Sequence, residues 1–232
     1  MPESAPNAEL MRSLGRLVRG LSALFWGLPA AFLVCYYTAR AEPVRLFGVM
    51  PSVVCTGLLI FGLWQIGDFQ RQERVWRHAL ERARLLALIN CGLSPFLYWW
   101  NRAPAQVFFF VMVVLMTFLG LLLLASLNVV LQRLGAMLPD EALRLETRHY
   151  TVVNLVLVAI IFTLAALCAA CRIVPLGAIH AAPAWLVAFV LIRSSTMLWG
   201  LTLLVLVPMA MTMALLWKTK EVILESVFGA KP

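Results

Sequence analysis

Charge is scarce in this chain, and acidic charge scarcer still. Only 13% of its 232 residues are Asp, Glu, Lys or Arg, and 11 are acidic. A soluble globular domain carries about 25% charged and about 45–50% apolar residues. Here 62% are hydrophobic and the mean hydropathy is +0.90. The shortage excludes an ordinary soluble domain and points to a chain that crosses hydrocarbon repeatedly. None of the acidic residues falls inside the long apolar runs. Proton- and ion-coupled transporters keep such residues at membrane depth, so a proton-driven pump is disfavoured.

Other absences narrow the chemistry. There is no Gly-rich phosphate loop, no His-Glu-x-x-His and no convincing nucleophile constellation. No 20–50-residue repeat or low-complexity segment is evident. His78, His149 and His180 fall on both sides of the topology derived below, so they form no common metal site. The sequence therefore calls for no cofactor and no metal. The 5 cysteines all lie in or beside apolar runs, which is not a secreted disulfide framework. The net charge of +8 raises nucleic acid as a partner. Its basic residues cluster at the ends of apolar runs, as topology signals do, and no recognition module accompanies them. Nucleic acid is set aside.

What is present is an alternation of uncharged runs and basic connectors. A spanning helix needs about 20 apolar residues. The runs give spans at about 21–38, 46–66, 85–100, 105–131, 150–171 and 194–217. The third is short and is completed by snorkelling arginines. The first is too long for the h-region of a signal peptide, so it is read as an uncleaved span despite the "TARA" at 38–41. Loops at 67–84 and 132–149 join spans on the cytoplasmic side. Residues 173–193 contain Pro175, Gly177, His180 and Pro183 and form an outer re-entrant or interfacial segment.

Positive charge orients the bundle. Arg12, Arg16 and Arg19, the arginines of the second and fourth loops, and the tail lysines make fourteen on one side. Arg40, Arg45, Arg102, Arg172 and Arg193 make five on the other. A seventh span would narrow this bias, so six spans with both termini cytoplasmic satisfy the positive-inside rule best. The expected fold is all-α: six transmembrane helices in a single membrane domain, an N-terminal amphipathic interfacial helix, and a short apolar outer helix before the last span. A bacterial inner membrane suits this layout.

Several segments carry a physical signature. In "LMRSLGRLVRGL" at 10–21, Leu10, Leu14, Leu17 and Leu21 share one helical face and Arg12, Arg16 and Arg19 the opposite one. That pattern predicts an interfacial helix over 10–20 with arginines for anionic headgroups. In "DFQRQERVWRHALERARLL" at 68–86, Phe69, Trp76, Leu80 and Ala83 share a face and Glu73–Arg77–Glu81 are spaced i, i+4. The simpler reading is a charged connector. The functional one is a docking element for a cytoplasmic partner through Arg74, Trp76 and Arg77. In "LINCGLSPFLYWWNRAP" at 88–104, Asn90, Ser94 and Pro95 interrupt a span, with a kink expected at Pro95. These residues are candidates for an intramembrane polar site, although small and weakly polar residues also serve helix packing. Trp99 and Trp100 then mark the outer interface. "CAAC" at 168–171 raises a thiol reading, since Cys168 and Cys171 could exchange disulfides; packing cysteines are the simpler account.

In layout, residues 10–217 resemble the small permease subunits of ATP-driven exporters. Those have six spans, cytoplasmic termini, an amphipathic N-terminal helix, a charged helix after the second span and short outer helices before the last. The resemblance implies a non-enzymatic, permease-like subunit of a transport or export assembly, with an ATPase subunit or a second copy as partner. A membrane thiol–disulfide oxidoreductase using Cys168 and Cys171, and a scaffold without substrate, are the alternatives.

Arg193 sits in "FVLIRSSTMLWG", inside the longest apolar tract. Residues 194–217 span alone, which moves Arg193 to the outer boundary, where it snorkels. A cysteine at position 193, in a cysteine-free background, should react with a membrane-impermeant thiol reagent added from outside. Protection from both sides would instead place the arginine within the membrane.

Overall fold

A computed structural model describes the backbone of residues 4–40, 47–67, 69, 73–137, 141–173 and 195–228, with side chains over 11–40, 47–67, 69, 73–137, 144–167, 200 and 202–225. Among the described residues all regular structure is helical: α1 (Ser4–Arg40), α2 (Met50–Ile66), α3 (Arg74–Leu93), α4 (Pro95–Arg102), α5 (Val107–Met137), α6 (Glu141–Ile173) and α7 (Ser195–Phe228). Four stretches are long and apolar enough to cross a membrane: Met11–Arg40, Val107–Met137, Arg144–Leu167 and Thr202–Glu225. The protein is thus an α-helical membrane protein. α2 is equally apolar but has only 17 residues, about 26 Å of helix against a hydrocarbon core of about 30 Å.

The run read as a third span is divided. α3 ends at Leu93 and α4 starts at Pro95. Proline has no N–H for the carbonyl four residues back, here Cys91. Ser94 compensates: its N–H and its hydroxyl both donate to the Cys91 carbonyl, at 3.3 and 2.9 Å. The kink expected at Pro95 is therefore present, with its exposed polar atom satisfied one residue away.

The helices close into a ring. Each of α1–α2, α2–α3, α3–α5, α5–α6, α6–α7 and α7–α1 is a packed pair, and α5 also touches α7 across the middle. Apolar burial drives little association between helices already in hydrocarbon, so close packing and internal hydrogen bonds must hold such a ring. α1 and α2 approach backbone to backbone. A Cβ on Gly20 would lie 2.8 Å from the Gly62 carbonyl oxygen, and one on Gly62 would lie 3.1 Å from the Gly20 carbonyl oxygen. Only glycine on both helices admits that contact. At the ends, Asn101 Nδ2 donates to the Thr38 carbonyl at 3.0 Å, and Lys218 pairs with Glu146.

Two expectations about amphipathic segments need correction. Residues 10–20 are not a separate interfacial helix, because α1 runs unbroken through them into the first span. Its leucine face turns into the bundle: Leu17 and Leu21 are among the most completely buried residues. Arg12 and Arg19 remain exposed on the other face. The face of Trp76, Leu80 and Ala83 is real but also points inward, with Trp76 only 1% exposed. The periodicity located both faces, but a helical stripe does not reveal whether lipid or protein covers it. Outward, Trp26 and Leu33 on α1 and Val54, Phe61 and Trp64 on α2 are exposed apolar side chains suited to hydrocarbon.

The Gly20–Gly62 contact yields a direct test. Gly20→Ala should destabilise the protein by about 1–3 kcal/mol through overpacking against backbone. Gly57→Ala, which adds a methyl in open space, should be neutral or slightly stabilising. Unfolding midpoints of the detergent-solubilised variants check both.

Candidate functional site

α1, α2, α3, α4, α5 and α7 surround a partly open cavity of about 320 Å³. Its wall is almost entirely apolar: Leu28, Ala31, Phe32, Leu59, Leu97, Met116, Leu121, Leu124, Val205 and Met209 form most of it. Ligand sites are typically apolar concavities of about 300–1,000 Å³ with a few placed polar groups. Here those groups are Asn90, Thr56, Thr117, Cys35 and Tyr36.

Three helical prolines border this space. Pro29 lies inside α1 between the lining residues Leu28 and Ala31. Pro95 opens α4 two residues before Leu97, and Pro208 lies inside α7 immediately before Met209. Each proline leaves one carbonyl without its helical donor and weakens the rod at that level. The wall is thus built from helices able to bend where they meet the cavity.

Behind Met209 a buried polar node is built around the Pro208 level of α7. Thr212 donates to the Pro208 carbonyl at 2.7 Å and accepts from two asparagines, Asn128 of α5 and Asn154 of α6, both at 2.9 Å. Asn154 also donates to the Pro208 carbonyl at 3.1 Å, and Asn128 to the Leu124 carbonyl at 2.8 Å. All three side chains are fully buried. The node therefore joins three spans at one point and connects, through Leu124 and Met209, to the cavity wall. Among the described residues, the amide oxygens of Asn128 and Asn154 have no hydrogen-bond partner.

Of the residues singled out in the sequence, Asn90 lines the cavity, 5% exposed. Ser94 is fully buried beside it in sequence, accepting from Ser52 Oγ through its carbonyl at 3.4 Å, and Pro95 forms the break. Trp99 is exposed near the end of α4 and stacks on Phe109 with centroids 6.5 Å apart; Trp100 is half-buried. Arg74 and Arg77 are exposed, and Arg77 pairs with Glu81 at 3.0 Å. Trp76 is interior, so no docking face can include it without opening the bundle. Cys168 and Cys171 belong to α6, but their side chains, like all of Arg193, lie outside the described residues. Among the described residues no cluster of His, Cys, Asp and Glu could hold a metal ion.

The node of Asn128, Asn154 and Thr212 escaped the sequence reading. Its signal was an amide within an uncharged run, which a search for intramembrane acids passes over. Comparison with family models, with curated proteins and with solved structures finds no match for this chain.

Removing the hub of the node should loosen three helices together. Thr212→Val deletes three hydrogen bonds and should cost about 2 kcal/mol, at roughly 0.6 kcal/mol for each intramembrane bond. Thr212→Ser, which keeps the hydroxyl, should recover most of that. Unfolding in mixed micelles with increasing SDS measures the difference.

Proposed function

We propose that this protein is a non-enzymatic, permease-like subunit of a membrane transport or export assembly. The observation that carries this reading is the cavity bordered by three helical prolines, one of which, Pro95, divides its span. A space for a solute, walled by helices with weakened points, suits alternating exposure of that solute. Prolines at membrane depth otherwise weaken a bundle without return.

The six-span arrangement with cytoplasmic termini fits the same reading. α2 would reach across with its flanking residues, and α3 with α4 would make the remaining crossing. The Lys218–Glu146 pair joins the N-terminal part of α6 to the C-terminal part of α7, which supports a shared side for those two ends. The contact of Asn101 with Thr38 does the same for the opposite end. The exposed Arg74 and Arg77 on α3 are the surface offered to a cytoplasmic ATPase subunit. Positive charge bias favours a cell membrane, in bacteria the inner one, with that surface inside.

The test is purification of the full-length protein from its native membrane in mild detergent, followed by mass spectrometry and an ATP-hydrolysis assay on the eluate. A stoichiometric nucleotide-binding subunit whose recovery falls in Arg74→Glu/Arg77→Glu is expected. A chain that purifies intact, repeatedly and without any ATP-hydrolysing partner would overturn the transport reading.

A further inference from the structure

We infer that the cavity binds an amphiphile with an apolar body and a single hydroxyl group, of the long-chain alcohol class, and that Asn90 receives the hydroxyl. The inference rests on the cavity being the site the transport assembly works on, and binding is measured separately so that the two ideas fail separately.

The orientation of Asn90 carries the argument. Its Nδ2 donates to the Leu86 carbonyl one turn back at 2.9 Å. The amide cannot be reversed without setting two oxygens against each other, so Oδ1 is held away from its own helix. That oxygen faces α5, where a Cβ on Gly120 would lie 3.8 Å from it. Gly120 also lines the cavity, and among the described residues no donor is directed at Asn90 Oδ1. The residue is only 5% exposed, and an acceptor turned to an apolar cavity without a donor is costly to leave unmet.

The neighbouring hydroxyls reinforce the preference. Thr56 donates to the Ser52 carbonyl at 2.7 Å and Thr117 to the Val113 carbonyl at 2.9 Å. Their protons are committed to their own helices, so what they turn to a ligand are lone pairs. Asn90, Thr56 and Thr117, on α3, α2 and α5, therefore present acceptors and want a donor, while the lining groups that carry a proton of their own, Cys35 and Tyr36, belong to α1. A hydroxyl supplies one proton at little desolvation cost, whereas an ether or ester of the same length supplies none. The remaining wall is apolar, and about 320 Å³ has room for about ten groups the size of a water molecule or a methylene. Membrane amphiphiles are the molecules that reach such a space through hydrocarbon, and the exposed Thr117 marks an open side.

The experiment uses the full-length protein in phosphatidylcholine nanodiscs and a long-chain primary alcohol carrying a diazirine. Photolabelling should map to the wall, at Met116 or Met209. Unlabelled nonanol should compete roughly fivefold better than methyl octyl ether, which has the same length, the margin of one neutral hydrogen bond. Asn90→Leu should abolish that preference. Gly120→Ala sets a methyl in ordinary contact with Oδ1 without straining the backbone, so it should cut alcohol labelling several-fold at an unchanged unfolding midpoint. Equal competition by alcohol and ether, labelling outside the wall, or a folded Gly120→Ala that labels like the wild type would overturn the inference. Specific labelling of a protein that recovers no ATPase would sustain the site and overturn the transport reading alone.

Discussion

The structure depends on one constraint: a polar group within an apolar bundle has no water to turn to. At Pro95 it is met locally: the Cys91 carbonyl, which the proline leaves without its helical donor, accepts from the N–H and hydroxyl of Ser94. At the level of Pro208 it is met between helices. Thr212 and Asn154 both donate to the Pro208 carbonyl, and Asn128 donates to Thr212, so the polar side chains of three helices satisfy one another at one point. The packing of α5, α6 and α7 is therefore tied together there, next to Leu124 and Met209 of the cavity wall.

Close backbone approach supplies the second support. Where hydrocarbon surrounds every helix, transfer of leucine from lipid to protein gains little, and contact density decides which helices associate. Gly20 and Gly62 bring α1 and α2 within backbone contact. The same logic explains the leucine face of α1. Leu17 and Leu21 gain partners by packing inward, and the helix continues because nothing in residues 10–20 breaks it. Basic side chains on the opposite face remain available to headgroups.

The proposed function combines rigidity with places to bend. The node and the glycine contact tie the helices together, while helical prolines stand where three helices meet the cavity. Asn90 adds direction to a largely apolar wall, because its amide is oriented by the Leu86 carbonyl and its oxygen is left toward Gly120. In the proposed site, that oxygen favours a ligand with a proton to donate.

Composition, uncharged runs and charge bias were sufficient to read an α-helical membrane protein, the break at Pro95 and the apolar faces of α1 and α3, because each is a local property of the chain. Asn90 was also legible, as a polar residue in a broken span. What lay beyond the sequence was the partner of each face. Whether Trp76 meets solvent, lipid or protein depends on which helix lies opposite, and α3 packs against α2 and α5. Asn128 and Asn154 are separated from Thr212 by 84 and 58 positions, so their meeting at one hydroxyl has no local signature. Periodicity and charge define which residues share a helix face. Only the closure of the ring decided which faces meet, and so where a cavity, a node and an unpaired acceptor would be.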